Sequence, residues 1–224
     1  MAKFGVDPHG RWDQNLAQEQ FQAHVGNIVS KYREASPEFV KGGSEWYDKA
    51  NEVAGRVGGG DTRRGAGIIA ALSPLNNWER NVDEAHELVK TGNVASALLP
   101  ANVEKARRIH AGEDPLDVLG GHKVTNFFHN INDPSSPHAV TIDRHAYDIA
   151  MGRPFVGAGG GKAKLNLTQG PSGHTPMSED LGLSSLGRYK HFVQAYQRAS
   201  SELGVDLPHR VQATTWVQHR GAIG

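Results

Sequence analysis

The chain has 224 residues, 38% of them apolar, which is enough for one domain with a real core. No apolar run approaches the ~18 residues of a membrane helix, and the absence of cysteine removes disulfides, thiolate zinc sites, iron–sulfur clusters and a cysteine nucleophile together. Twenty-four basic and 24 acidic side chains give zero net charge, which argues against strong non-specific duplex binding but leaves room for a local basic face.

Residues 1–14 read as a loose arm, and Met1-Ala2-Lys3-Phe4-Gly5 carries no apolar signal region, so a cytoplasmic protein is expected. From Asn15 to Arg33, Phe21, Val25, Ile28, Val29 and Tyr32 recur at helical spacing. Ser44 is placed as the N-cap of a second helix carrying Trp46, Tyr47, Ala50, Val53 and Val57, closed by Gly58-Gly59-Gly60. Gly65 to Ser73 is small or apolar throughout and predicts a fully buried helix, broken at Pro74. An amphipathic helix from about Asn77 to Lys90 follows, then short helical pieces over Val94–Leu99 and Ala101–His110. The helix after Lys123 buries Val124, Phe127, Phe128 and Ile131. A loop through Asn132–Pro137 leads to Val140-Thr141-Ile142-Asp143, where a helix running to Met151 begins. Residues 152–185 are rich in Gly, Ser, Pro and Thr and predict a mobile loop or a lid ordered by substrate, 156–183 being its least ordered part. Two helices finish the chain. Tyr189–Leu203 carries Phe192, Ala195, Tyr196 and Ala199, and Pro208 opens the last, with Val211, Trp216 and Val217. With no convincing strand pair, the expected class is all-α in a single domain over 15–224.

The segment Leu119–Pro154 carries the chemistry. Gly120 and Gly121 let backbone N–H groups approach an anion such as a phosphate. Lys123, in the first turn of its helix, stands among apolar residues and positive backbone dipoles, and both lower an amine's pKa and favour nucleophilic use. An apolar stretch delivers Asp143 to a helix start, where it serves as a cap, a base or a counter-charge to a developing cation. Taken singly, a lysine after glycines is most often solvated and an aspartate before a helix most often a plain cap. His122, His129, His138 and His145 lack a helical i, i+4 pair with a third carboxylate in register, so no metal or other cofactor is expected. Gly157–Gly161 with Lys162 lacks the following Ser/Thr and the strand–loop–helix setting of a phosphate loop.

Gly121-His122-Lys123-Val124-Thr125-Asn126, followed by Val140-Thr141-Ile142-Asp143-Arg144-His145, resembles the helix-hairpin-helix DNA glycosylases, endonuclease III-like members in particular. Ile69–Pro74 with Trp78, Asn81 and Ala85 is similar to an early helix of that family, and Asn102 with Lys105-Ala106 to the element before its hairpin. The likeness covers roughly residues 65–155. It implies two helical lobes around a cleft, DNA as partner, and a target base flipped into a pocket. Lys123 is implied as the nucleophile on the anomeric carbon and Asp143 as support for base loss. DNA contacts are implied at Gly120, Gly121, His122, Arg144, Trp78 and Asn81. Ser73 and Asn77 border the implied base pocket, with Gln212 and Arg220 of the last helix facing the cleft. The sequence departs from that pattern where Leu119 replaces the hairpin's first glycine, where the hairpin proline is absent, and where no cluster cysteines occur. The ending Arg210–Arg220 resembles uncharacterised proteins of actinobacterial phages, for which the compartment is the host cytoplasm. Three functions follow: a DNA glycosylase, with or without lyase activity; a phage base-hypermodification enzyme of the same fold, transferring an amino acid to an activated pyrimidine; and a non-catalytic DNA- or protein-binding module.

Overall fold

The structure, a computed structural model, describes residues 5, 7–94, 99–153 and 186–221. Among these, all regular structure is helical: α1 (Gln14–Arg33), α2 (Pro37–Ser44), α3 (Trp46–Val57), α4 (Thr62–Leu72), α5 (Trp78–Thr91), α6 (Pro100–His110), α7 (Pro115–Val118), α8 (His122–Asn132), α9 (Arg144–Met151), α10 (Leu186–Leu203) and α11 (Pro208–Arg220). The all-α class therefore holds. No helix among the described residues is long and apolar enough to cross a membrane.

Local chemistry sets most boundaries. Asp13, Asp61, Asn77, Asp114 and Asp143 cap their helices by accepting backbone N–H bonds. Gly92 and Gly152 close α5 and α9 in the left-handed conformation. One expected cap is corrected. Ser44 does not start the second helix; it is the last residue of α2, and its hydroxyl donates to the Lys41 carbonyl at 2.9 Å. The helix carrying Trp46 is α3, where Glu45 stands at the N-cap without a side-chain cap bond, while Ser36 caps α2 by accepting from Phe39 N–H at 3.3 Å. The arm is less loose than expected where it is described: Gly5 donates to Gln20 Oε1 at 2.8 Å, and Asp7 accepts from the His9 and Arg11 backbone.

Two apolar clusters organise the helices. The first surrounds α4, whose residues Gly65–Leu72 are all buried against α3, α5, α6, α7 and α8. Gly65 lets α4 sit on α3, since a Cβ there would fall on the Ala54 carbonyl. The second joins α1, α9, α10 and α11 around Ile28, Val140, Ile142, Phe192 and Tyr196. Helix α11 ties the two together: it lies along α2 and places Ala213 in the first cluster and Val211 in the second. Gly43 is the close point of the α2–α11 crossing, where a Cβ would meet the Thr214 backbone. The expected helical piece at Val94–Leu99 and the Gly-rich loop fall mainly on residues outside the described ones, as does the Gly157–Lys162 run.

Candidate functional site

Beside the first cluster, where α3, α5, α8 and α11 converge, a cavity of about 110 Å³ opens. Its lining brings together seven residues expected from the sequence: Lys123, Asp143, Ser73, Asn77, Trp78, Asn81 and Gln212. Arg220 also lines it, as its placement toward the cleft anticipated.

Asp143 reaches the cavity through an extended segment clamped by one tyrosine. The Tyr189 hydroxyl donates to the Val140 carbonyl and accepts from Ile142 N–H, both at 3.0 Å. Extended chain alternates its side chains, so Val140 and Ile142 enter the second core while Thr141 and Asp143 line the cavity. Both Asp143 oxygens are engaged. Oδ1 accepts from Ala146 N–H at 2.8 Å, capping α9, and Oδ2 accepts from the Trp216 indole N–H at 3.1 Å. The Arg220 guanidinium lies over the Trp216 ring, 4.7 Å from its centroid. These contacts hold an anion at a fixed place and leave further lone pairs for a ligand.

Lys123 arrives from the first turn of α8, whose N-cap Gly121 has a φ of 82°. Asn51 anchors the far end of that helix, its amide donating to the carbonyls of Ile131 and Asn132 at 2.8 and 3.1 Å. The Lys123 side chain keeps part of its surface exposed, yet burial pushes its amine below the ordinary lysine range, with the Asp143 carboxylate opposing. Among the described residues no hydrogen bond or ion pair within contact distance holds the ammonium. A neutral amine is the nucleophilic form, so this environment favours attack.

The walls are aromatic. Trp46 and Trp78 lie 4.9 Å apart at 57°, and Trp46 meets Tyr47 edge-on at 4.8 Å, Phe127 at 6.1 Å and Trp216 at 6.2 Å. Three of the chain's four tryptophans thus line one cavity, while Trp12 stands exposed elsewhere. Tyr47 donates to Gln212 Oε1 at 3.0 Å, and burial drives its phenol well above the ordinary range, so it stays a neutral donor. Reading α3 and α8 by periodicity assigned Trp46, Tyr47 and Phe127 to the core. Tyr47 does belong to the first core cluster, with Trp46 and Phe127 packed against it, and the same three side chains also line the cavity. Trp216, read with the apolar face of the last helix, belongs to the wall instead.

Four expected DNA contacts lie outside the cavity. Gly120 and Gly121 are exposed, with open space where a Cβ would project. The His122 ring stacks toward Tyr189 at 5.4 Å, and Arg144 turns along its own helix to Asp148, 3.7 Å away. Among the described residues no group of three His, Asp or Glu side chains is arranged to hold a metal ion.

A family of unknown function, DUF7178, matches residues 12–163, about two thirds of the chain. The chain belongs to DUF7178. The DUF7178 match spans α1 to α9 and so includes Trp46, Asn81, Lys123 and Asp143, whereas Gln212, Trp216 and Arg220 lie beyond it. No curated protein and no solved structure matches the chain.

Proposed function

We propose that this protein acts on a nucleobase in DNA as a glycosylase, with two helical lobes gripping the strand and the target base turned into the aromatic cavity. The observation that carries the reading is the convergence of Lys123 and Asp143, from the starts of the successive helices α8 and α9, on one cavity walled by Trp46, Trp78 and Trp216. Aromatic planes suit a flat heterocycle, each stacked base contributing roughly 1–3 kcal/mol. The fixed Asp143 carboxylate suits the cationic character of a sugar losing its base. The open glycine pair ahead of α8 suits a close phosphate.

The bond changes balance as follows. The neutral Lys123 amine forms the Nζ–C1′ bond while the C1′–N bond breaks and its electron pair leaves with the base. One amine proton passes by way of Asp143 to the departing base. The second ends on O4′ as the sugar ring opens, leaving a C1′=Nζ imine. Borohydride reduces that imine to a stable amine, so it should trap a protein–DNA adduct with wild type and none with Lys123→Gln. The substrate panel is a set of oligonucleotides carrying uracil, oxidised, alkylated or hydroxymethylated bases, followed by mass spectrometry. Base loss supports the reading. Mass gain with a supplied amino acid moves the same site to base hypermodification, and binding without change refutes catalysis.

A further inference from the structure

The cavity has a second chemical feature that neither Lys123 nor Asp143 uses. Asn81 is 2% exposed, and its amide nitrogen donates to the Ile69 carbonyl at 3.1 Å, fixing α5 to α4. That bond sets the amide's orientation, since a flipped amide would put oxygen against oxygen. The Asn81 Oδ1 is then buried without a hydrogen-bond partner. Asn76 repeats the arrangement. Its nitrogen donates at 2.7 Å to Oε2 of the buried Glu84, whose other oxygen accepts from Arg80 Nε at 2.8 Å. A carboxylate can only accept, so Asn76 must turn its nitrogen to Glu84, and its Oδ1 is also buried and unpartnered. Both residues line the cavity.

Two buried acceptors without donors are costly for a fold. They become favourable when a ligand brings N–H groups to them. Resting on the nucleobase reading above, we propose that Asn76 and Asn81 select bases presenting an exocyclic amino group, the cytosine and adenine class, over their oxo counterparts. An amino group supplies two donors on one nitrogen. In uracil or hypoxanthine the same position is a carbonyl oxygen, which would set lone pair against lone pair at Asn81 Oδ1. The aromatic walls discriminate little here, because stacking is available to every base.

The test compares duplexes with a single bulged base, cytosine against uracil and adenine against hypoxanthine, so that unstacking costs are similar within each pair. Binding is read by titration, and entry into the cavity by quenching of tryptophan fluorescence. Wild type should bind the amino member at least about tenfold more tightly in both pairs. Asn76→Ala, which leaves Glu84 paired with Arg80, should shrink that ratio toward one while its thermal unfolding stays cooperative. Quenching with equal affinities, or with a preference for the oxo bases, overturns the amino selectivity and leaves the nucleobase reading standing. No quenching by any of the four duplexes overturns the nucleobase reading and the selectivity with it.

Discussion

Asp143→Asn is the natural probe of chemistry at this site, and the geometry shows that it is not structurally silent. The carboxylate accepts two donors with two oxygens, Ala146 N–H at 2.8 Å and Trp216 Nε1–H at 3.1 Å. An amide has one oxygen. If it keeps the cap, which asparagine does well, its NH2 group faces the indole N–H, donor against donor. A hydrogen bond to a charged group contributes roughly 1.5–3 kcal/mol. Trp216 is half-buried and its indole regains some water, so the expected loss is about 1–2 kcal/mol. For a chain of this length each kcal/mol lowers the melting temperature by about 2–4 °C. Trp216→Phe keeps the ring and deletes the donor. In that background Asp143→Asn no longer opposes an N–H, and the two substitutions should couple by about 1 kcal/mol in a double-mutant cycle measured by urea unfolding. Strict additivity would refute the indole–carboxylate bond as a determinant of the site. If the cycle couples and adduct formation also disappears in Asp143→Asn, that variant must be compared with Trp216→Phe before the loss is assigned to chemistry.

Other outcomes follow from the same contacts. Gly43→Ala should destabilise by about 3 kcal/mol in urea unfolding, because its methyl group would meet the Thr214 backbone at the α2–α11 crossing. Gly26→Ala, in α1 with open space around it, should instead stabilise by about 0.5–1 kcal/mol. The His24 and His191 rings meet at 2.9 Å, and burial, their mutual repulsion and Arg188 hold His191 down to about 4. The unfolded chain binds protons from about pH 6.5 and the folded pair does not, so stability is full above that pH and falls as pH drops toward 4; His191→Phe should flatten that slope in unfolding curves at about pH 7 and about pH 5. Lys123→Met should raise the melting temperature at neutral pH while abolishing the borohydride adduct, since it replaces a cation disfavoured by its surroundings. A lower melting temperature would show that the ammonium is stabilised in place.

Much of the fold was legible in the sequence because the signals were local. Asn77 and Asp143 cap, Pro208 opens and Gly92 closes as their chemistry dictates. The helix Pro37–Ser44 was missed although Ser36-Pro37-Glu38 is a start signal. Its buried residues are Gly42 and Gly43, and its apolar side chains Phe39 and Val40 are adjacent, so eight residues offer no helical periodicity to read. Lys123 and Asp143 were legible through spacing and environment. Trp216 was not, because its partner Asp143 is 73 residues away in sequence and no local pattern distinguishes an indole packed in a core from one aimed at a carboxylate. Asn76 and Asn81 illustrate the same limit. What sets them apart is which end of each amide is already occupied, and α4 and Glu84 decide that only once the chain has folded.

Several departures from good folding chemistry meet at the cavity. Lys123 is a cation whose charge is disfavoured by burial. Asn76 and Asn81 hold acceptors away from water without donors. Between Ser73 and Asn76, Leu75 adopts a φ of 64°, the one non-glycine among the described residues with positive φ, a conformation that costs of order 1–3 kcal/mol and persists only where its surroundings over-determine it. Each departure would be removed by an ordinary substitution: methionine for the lysine, an apolar residue for an asparagine, glycine for the leucine. A sequence under pressure only to fold would gain stability at every one of these positions. Elsewhere in the described chain, Asp13, Asp61 and Asp114 cap their helices, α4 is buried from Gly65 to Leu72, and Tyr189 and Tyr196 donate their hydroxyl protons to backbone carbonyls. Because Lys123 and the two asparagines line one cavity, and Leu75 leads into it, the stability given up there is best explained by a ligand that supplies what the free protein lacks. On the proposed nucleobase reading, that ligand is a flat group to fill the aromatic walls, with donors for two amide oxygens and a reacting centre near the amine and the carboxylate.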